Sequence, residues 1–189
     1  MGAWLVPVDE IEALGPPSVD AASRTPDLVA AAYDRCQREL FSFALRASRN
    51  EETAEDLVHE AFVRLIVEIE ADRLPGNVRA WLYRVVANLL ISRARQATVA
   101  QRQLGAMVDR GEVTGPESAY LEQERDADLD LALGELGDDA RTALLMAAGG
   151  FNGMEIAEAI GRTGGATRTL MCRSRLQLRH RLGAMGVAP

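Results

Sequence analysis

Arg168, Cys172, Arg175 and Arg179 recur at i, i+4, i+7 and i+11 through EIAEAIGRTGGATRTLMCRSR (155–175) and the residues after it, with Arg173 on another side. Residues so spaced share one stripe of an α-helix. A guanidinium fork donates paired hydrogen bonds to guanine or grips a phosphate, so the chemistry of such a stripe is anion recognition. Taken alone, the block also fits an amphipathic helix whose arginines are merely solvated. A second constellation is Glu55, Asp56, His59, Glu60 and Arg64. Carboxylates flank an imidazole at Asp56-x-x-His59, as on one helix of a di-metal bundle. Such a site requires a second carboxylate-x-x-His helix, and the only other histidine, His180, lies in the basic tail, so no metal and no cofactor is expected. No hydroxyl or thiol has a histidine relay, and no Gly-rich loop follows a strand; an enzyme is not expected. Cys36 and Cys172 fit neither a disulfide framework nor a zinc cluster and read as small buried or half-buried residues in a reducing cytoplasm.

The positioning of these groups is first a matter of charge. The 189 residues carry a net charge of −7, and all 21 basic side chains are arginine. An evenly acidic surface would repel nucleic acid. The charge is not even. Residues 73–108 hold six Arg and no acid, and 140–189 hold seven Arg against two Glu, whereas 109–139 hold eleven acids against two Arg. Two basic blocks are thus separated by an acidic one, and each can meet phosphate locally. No apolar run approaches the roughly 18 residues of a membrane span, and the N-terminus lacks a signal pattern. A cytosolic protein is expected, with no membrane insertion.

Ala, Leu and Arg dominate and aromatics are few, which favours an all-α fold. Residues 1–26, with Pro7, Pro16 and Pro17, read as an N-terminal extension. A first helix is predicted to open at Thr25-Pro26-Asp27, with proline at its first position. Asn50 caps a second, whose Ala54, Leu57, Val58, Ala61, Phe62, Leu65, Ile66 and Ile69 form one buried stripe. Asn77 caps a third, VRAWLYRVVANLLISRARQ, in the first basic block. Residues 104–128 read as an acidic flexible linker; fully extended, it reaches about 80 Å, roughly two duplex turns of ~34–36 Å. After it come one helix ending near Gly149-Gly150, a short helix from about Gly153, a turn in which Gly161 supplies a positive φ, and a long last helix from about Gly165. That last pair has the pattern of a helix-turn-helix. Its packed face is Ile156, Ala157, Ile160, Thr167, Met171, Ser174 and Leu178.

AEDLVHEAF, VRAWLYRVVANLLISRAR and LGDDARTALLMAAGGFNGMEIAEAIGRTGGATRTLMCRSRL, in this order and spacing, resemble conserved regions 2.2, 2.3–2.4 and 4 of extracytoplasmic-function (group IV) sigma factors of the sigma-70 family. The resemblance implies region 2 over 27–103, the linker over 104–128, and region 4 over 129–189. It implies as partners the core RNA polymerase (clamp helices of the largest subunit and flap), promoter DNA and an anti-sigma factor. Residue by residue, it implies that Asp56, His59, Glu60 and Arg64 face the clamp helices. It gives Trp81, Arg84 and Asn88, in WLYRVVAN, to the minus-10 element, with Arg93 and Arg95 on the adjacent strand backbone. Asn88 matches a position that holds a flipped base, and an amide offers that base both a donor and an acceptor. Arg168, Thr169, Cys172, Arg173 and Arg175 match positions that enter the minus-35 major groove or hold its phosphates. Acidic family linkers thread the polymerase near nascent RNA, which points to Glu122, Glu124, Asp126 and Asp128. The chain departs from the pattern at Ala87 (commonly Arg), Ser92 (Asp), Leu170 (Arg) and Met154 (Glu); Leu170 is open to two readings, contact with a thymine methyl or simple packing. A stand-alone helix-turn-helix regulator is the other function class, though it has no evident need of an acid-free third helix or so acidic a connector.

Overall fold

The computed structural model describes residues 21–104 and 120–186, with side chains described over 26–97 and 127–186. Residues 1–20 of the expected N-terminal extension (1–26) and 105–119 of the expected linker (104–128) lie outside the described residues. The described chain is all-helical: α1 (Ala21–Ser48), α2 (Glu51–Glu70), α3 (Val78–Leu104), α4 (Tyr120–Gly134), α5 (Asp138–Ala148), α6 (Gly153–Ile160) and α7 (Gly164–Ala184).

Local chemistry sets most of the boundaries. Asn50 accepts a hydrogen bond from the Thr53 amide at 2.7 Å and caps α2, with Glu51 and Glu52 in its first turn, where carboxylates favour the helix dipole. Asn77 accepts from the Ala80 amide at 2.9 Å and starts α3. Asn152 and Glu155 form a reciprocal capping box on α6, and Gly161 ends that helix at φ 64°, ψ 40°; in this left-handed geometry a Cβ is disfavoured. Thr163 then caps α7.

Three expectations are corrected. First, α1 begins at Ala21 and carries Pro26 inside it. Lacking an N–H, Pro26 forfeits only one bond, to the Ala22 carbonyl, so the proline does not mark the start. Second, the helix expected to end at Gly149-Gly150 is two helices. Gly134 and Gly137, poor helix formers, open a break in which Leu136 is buried with Leu133, Ala140 and Leu144. The break leaves carbonyls without helical partners, and the buried Arg141 guanidinium donates to those of Leu133 (2.9 Å), Gly134 (3.2 Å) and Leu136 (2.8 Å). Helix α4 also starts at Tyr120, ahead of the 129 boundary, so the linker's last nine residues are helical.

Helices α1–α3 pack on Leu40, Leu57, Leu65, Leu82 and Val86, all fully buried, while α5–α7 contribute Met146, Ile156, Ile160 and Met171 to the same continuous cluster. Of the eight residues in the predicted α2 stripe, Ala54, Leu57, Val58, Ala61, Phe62, Leu65 and Ile69 are buried and Ile66 is half-buried. The two modules therefore share apolar packing as well as a covalent connection.

Candidate nucleic-acid interface

The predicted α7 residues are presented together. Thr167, Met171 and Ser174 are buried and Leu178 half-buried, so the helix packs by the expected face. Arg168, Thr169, Cys172, Arg173 and Arg175 are all exposed on the remainder, so Cys172, unlike the buried Cys36, is not the buried or half-buried residue expected of it: it falls on the face of α7 opposite Met171 and Ser174. None of Arg168, Arg173 and Arg175 forms an ion pair among the described residues. Helix α6 and the αL turn hold α7 at its angle, and Arg162 in that turn is anchored to Asp139 of α5 at 2.7 Å. Leu170 is half-buried against both apolar clusters, which decides it in favour of packing.

On α3 the predicted residues divide. Trp81, Arg84, Asn88 and Arg95 recur at i, i+3, i+7 and i+14, one stripe at 3.6 residues per turn; Asn88 and Arg95 are exposed, Trp81 and Arg84 half-buried. Arg93 lies off that stripe, toward α2, where it pairs with Asp56 at 3.6 Å. Ala87 is fully buried in the core, so its position serves packing and an arginine there would have no route to DNA. Ser92 is exposed. Tyr83, the neighbour of Trp81, is a core residue: it is 4% exposed, with its ring 4.9 Å from Phe43 and 4.8 Å from Phe151. Burial pushes its phenol up to about 12, and burial likewise raises the Cys36 thiol.

On α2, Asp56, His59 and Arg64 are exposed and Glu60 half-buried, with Arg64 donating to Glu60 at 2.9 Å. Val63 and Val67 are exposed apolar residues on the same helix. With Asp56 and Glu60 they complete an i, i+4, i+7, i+11 stripe. Sequence reasoning passed over these valines, although both fall outside the buried stripe and so had to face outward. Glu158 was also missed. Its carboxylate accepts a 2.6 Å hydrogen bond from Arg84, a partner 74 residues distant that no local pattern signals. Of the linker acids, Asp128 is half-buried on α4; the side chains of Glu122, Glu124 and Asp126 lie outside the described residues. The described residues hold no group of three or more potential metal ligands, and no helix among them is long and apolar enough to cross a membrane.

An all-helical chain with a capped helix-turn-helix, a bare arginine face on α7 and a second basic helix has the features of a DNA-binding protein of the helix-turn-helix class. Comparison with known proteins narrows this. Residues 32–99 match the family Sigma-70 region 2. The chain is 30% identical to the ECF RNA polymerase sigma factor SigE of Mycolicibacterium smegmatis over 185 residues, 93% of this chain and 70% of that protein. It is 31% identical to the ECF RNA polymerase sigma factor EcfG of Rhodopseudomonas palustris over 142 residues, 74% of this chain and 76% of that one. Against the ECF RNA polymerase sigma factor SigW of Bacillus subtilis it is 28% identical over 167 residues, 82% of this chain and 89% of that one. In fold it is similar to the sigma factor RpoE in its co-crystal with the anti-sigma factor NepR from Bartonella quintana, with a TM-score of 0.63 at 23% identity, covering 85% of this chain and 97% of that one. The chain belongs to the ECF sigma factors of the sigma-70 family.

Proposed function

We propose that the chain directs promoter-specific initiation by joining core RNA polymerase and reading two promoter elements with two separate helices. In this reading Asp56, His59, Glu60 and Arg64 of α2 meet the clamp helices, and the C-terminal module meets the flap. The α3 stripe of Trp81, Arg84, Asn88 and Arg95, with Arg93 beside it, takes the opened minus-10 strand. An aromatic ring, an amide and guanidinium groups on one face suit unstacked bases and their backbone. Helix α7 takes the minus-35 major groove, using Arg168, Thr169, Cys172, Arg173 and Arg175. The chain acts by binding, without catalysis of its own, in the cytoplasm, and an anti-sigma factor holds it in reserve.

The observation that carries the reading is the α7 face: five candidate contact residues are exposed together on the second helix of a helix-turn-helix, with its arginines unspent on carboxylates. The test is transcription from a promoter library with and without core polymerase. Run-off is expected only with core present, and Asn88→Ala combined with Arg168→Ala is expected to abolish start-site selection. A chain that does not associate with core, or a double variant that initiates as before, refutes the proposal.

A further inference from the structure

Helix α7 has more to offer DNA than arginine. At about 100° per residue, its buried line of Thr167, Met171 and Ser174 leaves an outward face centred on a second line, Thr169, Cys172 and Leu176, at i, i+3 and i+7. All three are exposed. Leu176 is the anomaly: it is 66% exposed on a helix whose other leucines are half-buried and whose Met171 is buried.

None of the three presents a strong donor. The Thr169 hydroxyl donates to the Gly165 carbonyl at 3.1 Å, so its only hydrogen is spent on the helix and a methyl remains for an outside partner. Cys172 is a free thiol, which behaves as a small hydrophobe. Leu176 has only hydrocarbon. The strip is therefore apolar throughout, and about 10 Å long at 1.5 Å per residue.

Cations border this strip on both sides. Arg168, Arg175 and Arg179 follow one edge and Arg173 the other, and α7 contains no acid. None of these four forms an ion pair among the described residues. Arg181, which does, lies on the packed side and pairs with Glu135. An apolar centre between separated guanidinium groups matches a groove with anionic rims and an apolar feature on its floor. The major groove has phosphate rims, is about 12 Å wide, and carries one methyl among its base edges, the C5-methyl of thymine. The strip spans about three base-pair steps of 3.4 Å. An apolar protein surface fits less well, because it would leave the bordering guanidinium groups desolvated and unpaired.

We propose that Thr169, Cys172 and Leu176 read thymine methyls in the minus-35 major groove, and that Leu176 is a specificity-determining residue of this chain. Arg168, at the start of the helix, remains able to take a guanine, while Arg173, Arg175 and Arg179 hold the phosphate rims. This rests on the assignment of α7 given under Proposed function and narrows it to an element with A·T pairs at its centre.

The test uses holoenzyme formed from the full chain and core polymerase, on the duplex it selects from a randomised promoter library. Each minus-35 thymidine is replaced singly by deoxyuridine, which deletes the methyl and keeps every hydrogen-bonding group of the base. Wild type is expected to bind about four-fold more weakly at each contacted position, the ratio equivalent to one buried methyl group. Leu176→Ala is expected to erase that difference at one position and keep it at the others, and Leu176→Met, which restores an apolar contact, to regain it. Both variants alter an exposed side chain and keep the packed face intact. A selected element without central A·T pairs, or wild-type binding indifferent to every uracil, overturns the proposal. So does a Leu176→Ala chain that keeps all the wild-type ratios, including one that has lost affinity only for core, as a polymerase contact would. The comparison is repeated with the full chain alone on a 20-base-pair dA·dT duplex and its dA·dU counterpart. This arm needs no polymerase, so absence of core-dependent run-off would defeat the sigma reading while the thymine contact is still judged.

Discussion

Two basic helices meet opposite fates in this molecule. On α7 the arginines Arg168, Arg173 and Arg175 stand clear of any ion pair among the described residues, while Arg181 in the last turn pairs with Glu135. On α3 three arginines are engaged, Arg79 with Glu39 and a helix end, Arg84 with Glu158 and Arg93 with Asp56, while Arg95 forms no ion pair among the described residues. The composition of the two blocks is similar, so basic charge by itself does not report a free DNA face. What distinguishes them is the neighbour each helix packs against. Helix α7 meets an acid only at its C-terminal end, where Glu135 takes Arg181, whereas α3 borders α1, α2 and α6, which supply Glu39, Asp56 and Glu158 along its length.

The comparison breaks most severely at Arg141. Its side chain is 3% exposed and serves carbonyls on both sides of the junction. Arg141→Met is predicted to destabilise the chain by about 3–5 kcal/mol, since several buried acceptors lose their donor at once; urea unfolding followed by circular dichroism measures it. Alkali should loosen the same junction. Tyr83, usually near 10, is held at about 12 by burial. Its contribution to stability is full below pH 10 and is lost as pH rises to 12, by up to about 2–3 kcal/mol. Thermal melts should fall over that window in wild type and fall less in Tyr83→Phe.

Smaller effects sharpen the contrast between the faces. Arg168→Ala is predicted to cost about 1–3 kcal/mol of discrimination at one minus-35 base pair and leave minus-10 preference intact, while Asn88→Ala should do the reverse; selection from a randomised promoter library with holoenzyme separates the two. Gly161→Ala should cost about 1–2 kcal/mol, the left-handed penalty at φ 64°, and lower the melting temperature. The least effect belongs to Asp56→Asn. Its exposed pair with Arg93 contributes no more than about 0.5 kcal/mol to folding, so the melt should hardly move while core affinity, measured by competition with wild type, declines.

How much of this could be read in advance varies element by element. The α2 stripe, the Asn50 and Asn77 caps, the αL turn at Gly161 and the packed face of α7 are local: each depends on residues within one or two turns, and each was legible from spacing and residue type. Pro26 misled because its cost is a single bond, which a long helix absorbs. The α4–α5 break was hidden because its compensation, the Arg141 guanidinium, lies beyond the break and shows no periodicity. The exposed Val63 and Val67 were recoverable from the helical wheel; Glu158 was not.

By itself, then, the order of residues determined six helical tendencies, an acidic spacer between two arginine-bearing segments and the family to which the chain is similar, because capping, periodicity and motif spacing act over short range. Only tertiary structure decided that α6 lies along α3, that Arg84 is neutralised while Arg168 is free, and that both modules contribute to one apolar cluster. Those outcomes depend on which surfaces meet after the helices have formed, and a contact such as Arg84 to Glu158 is set by packing geometry across 74 residues, to which no local preference is sensitive.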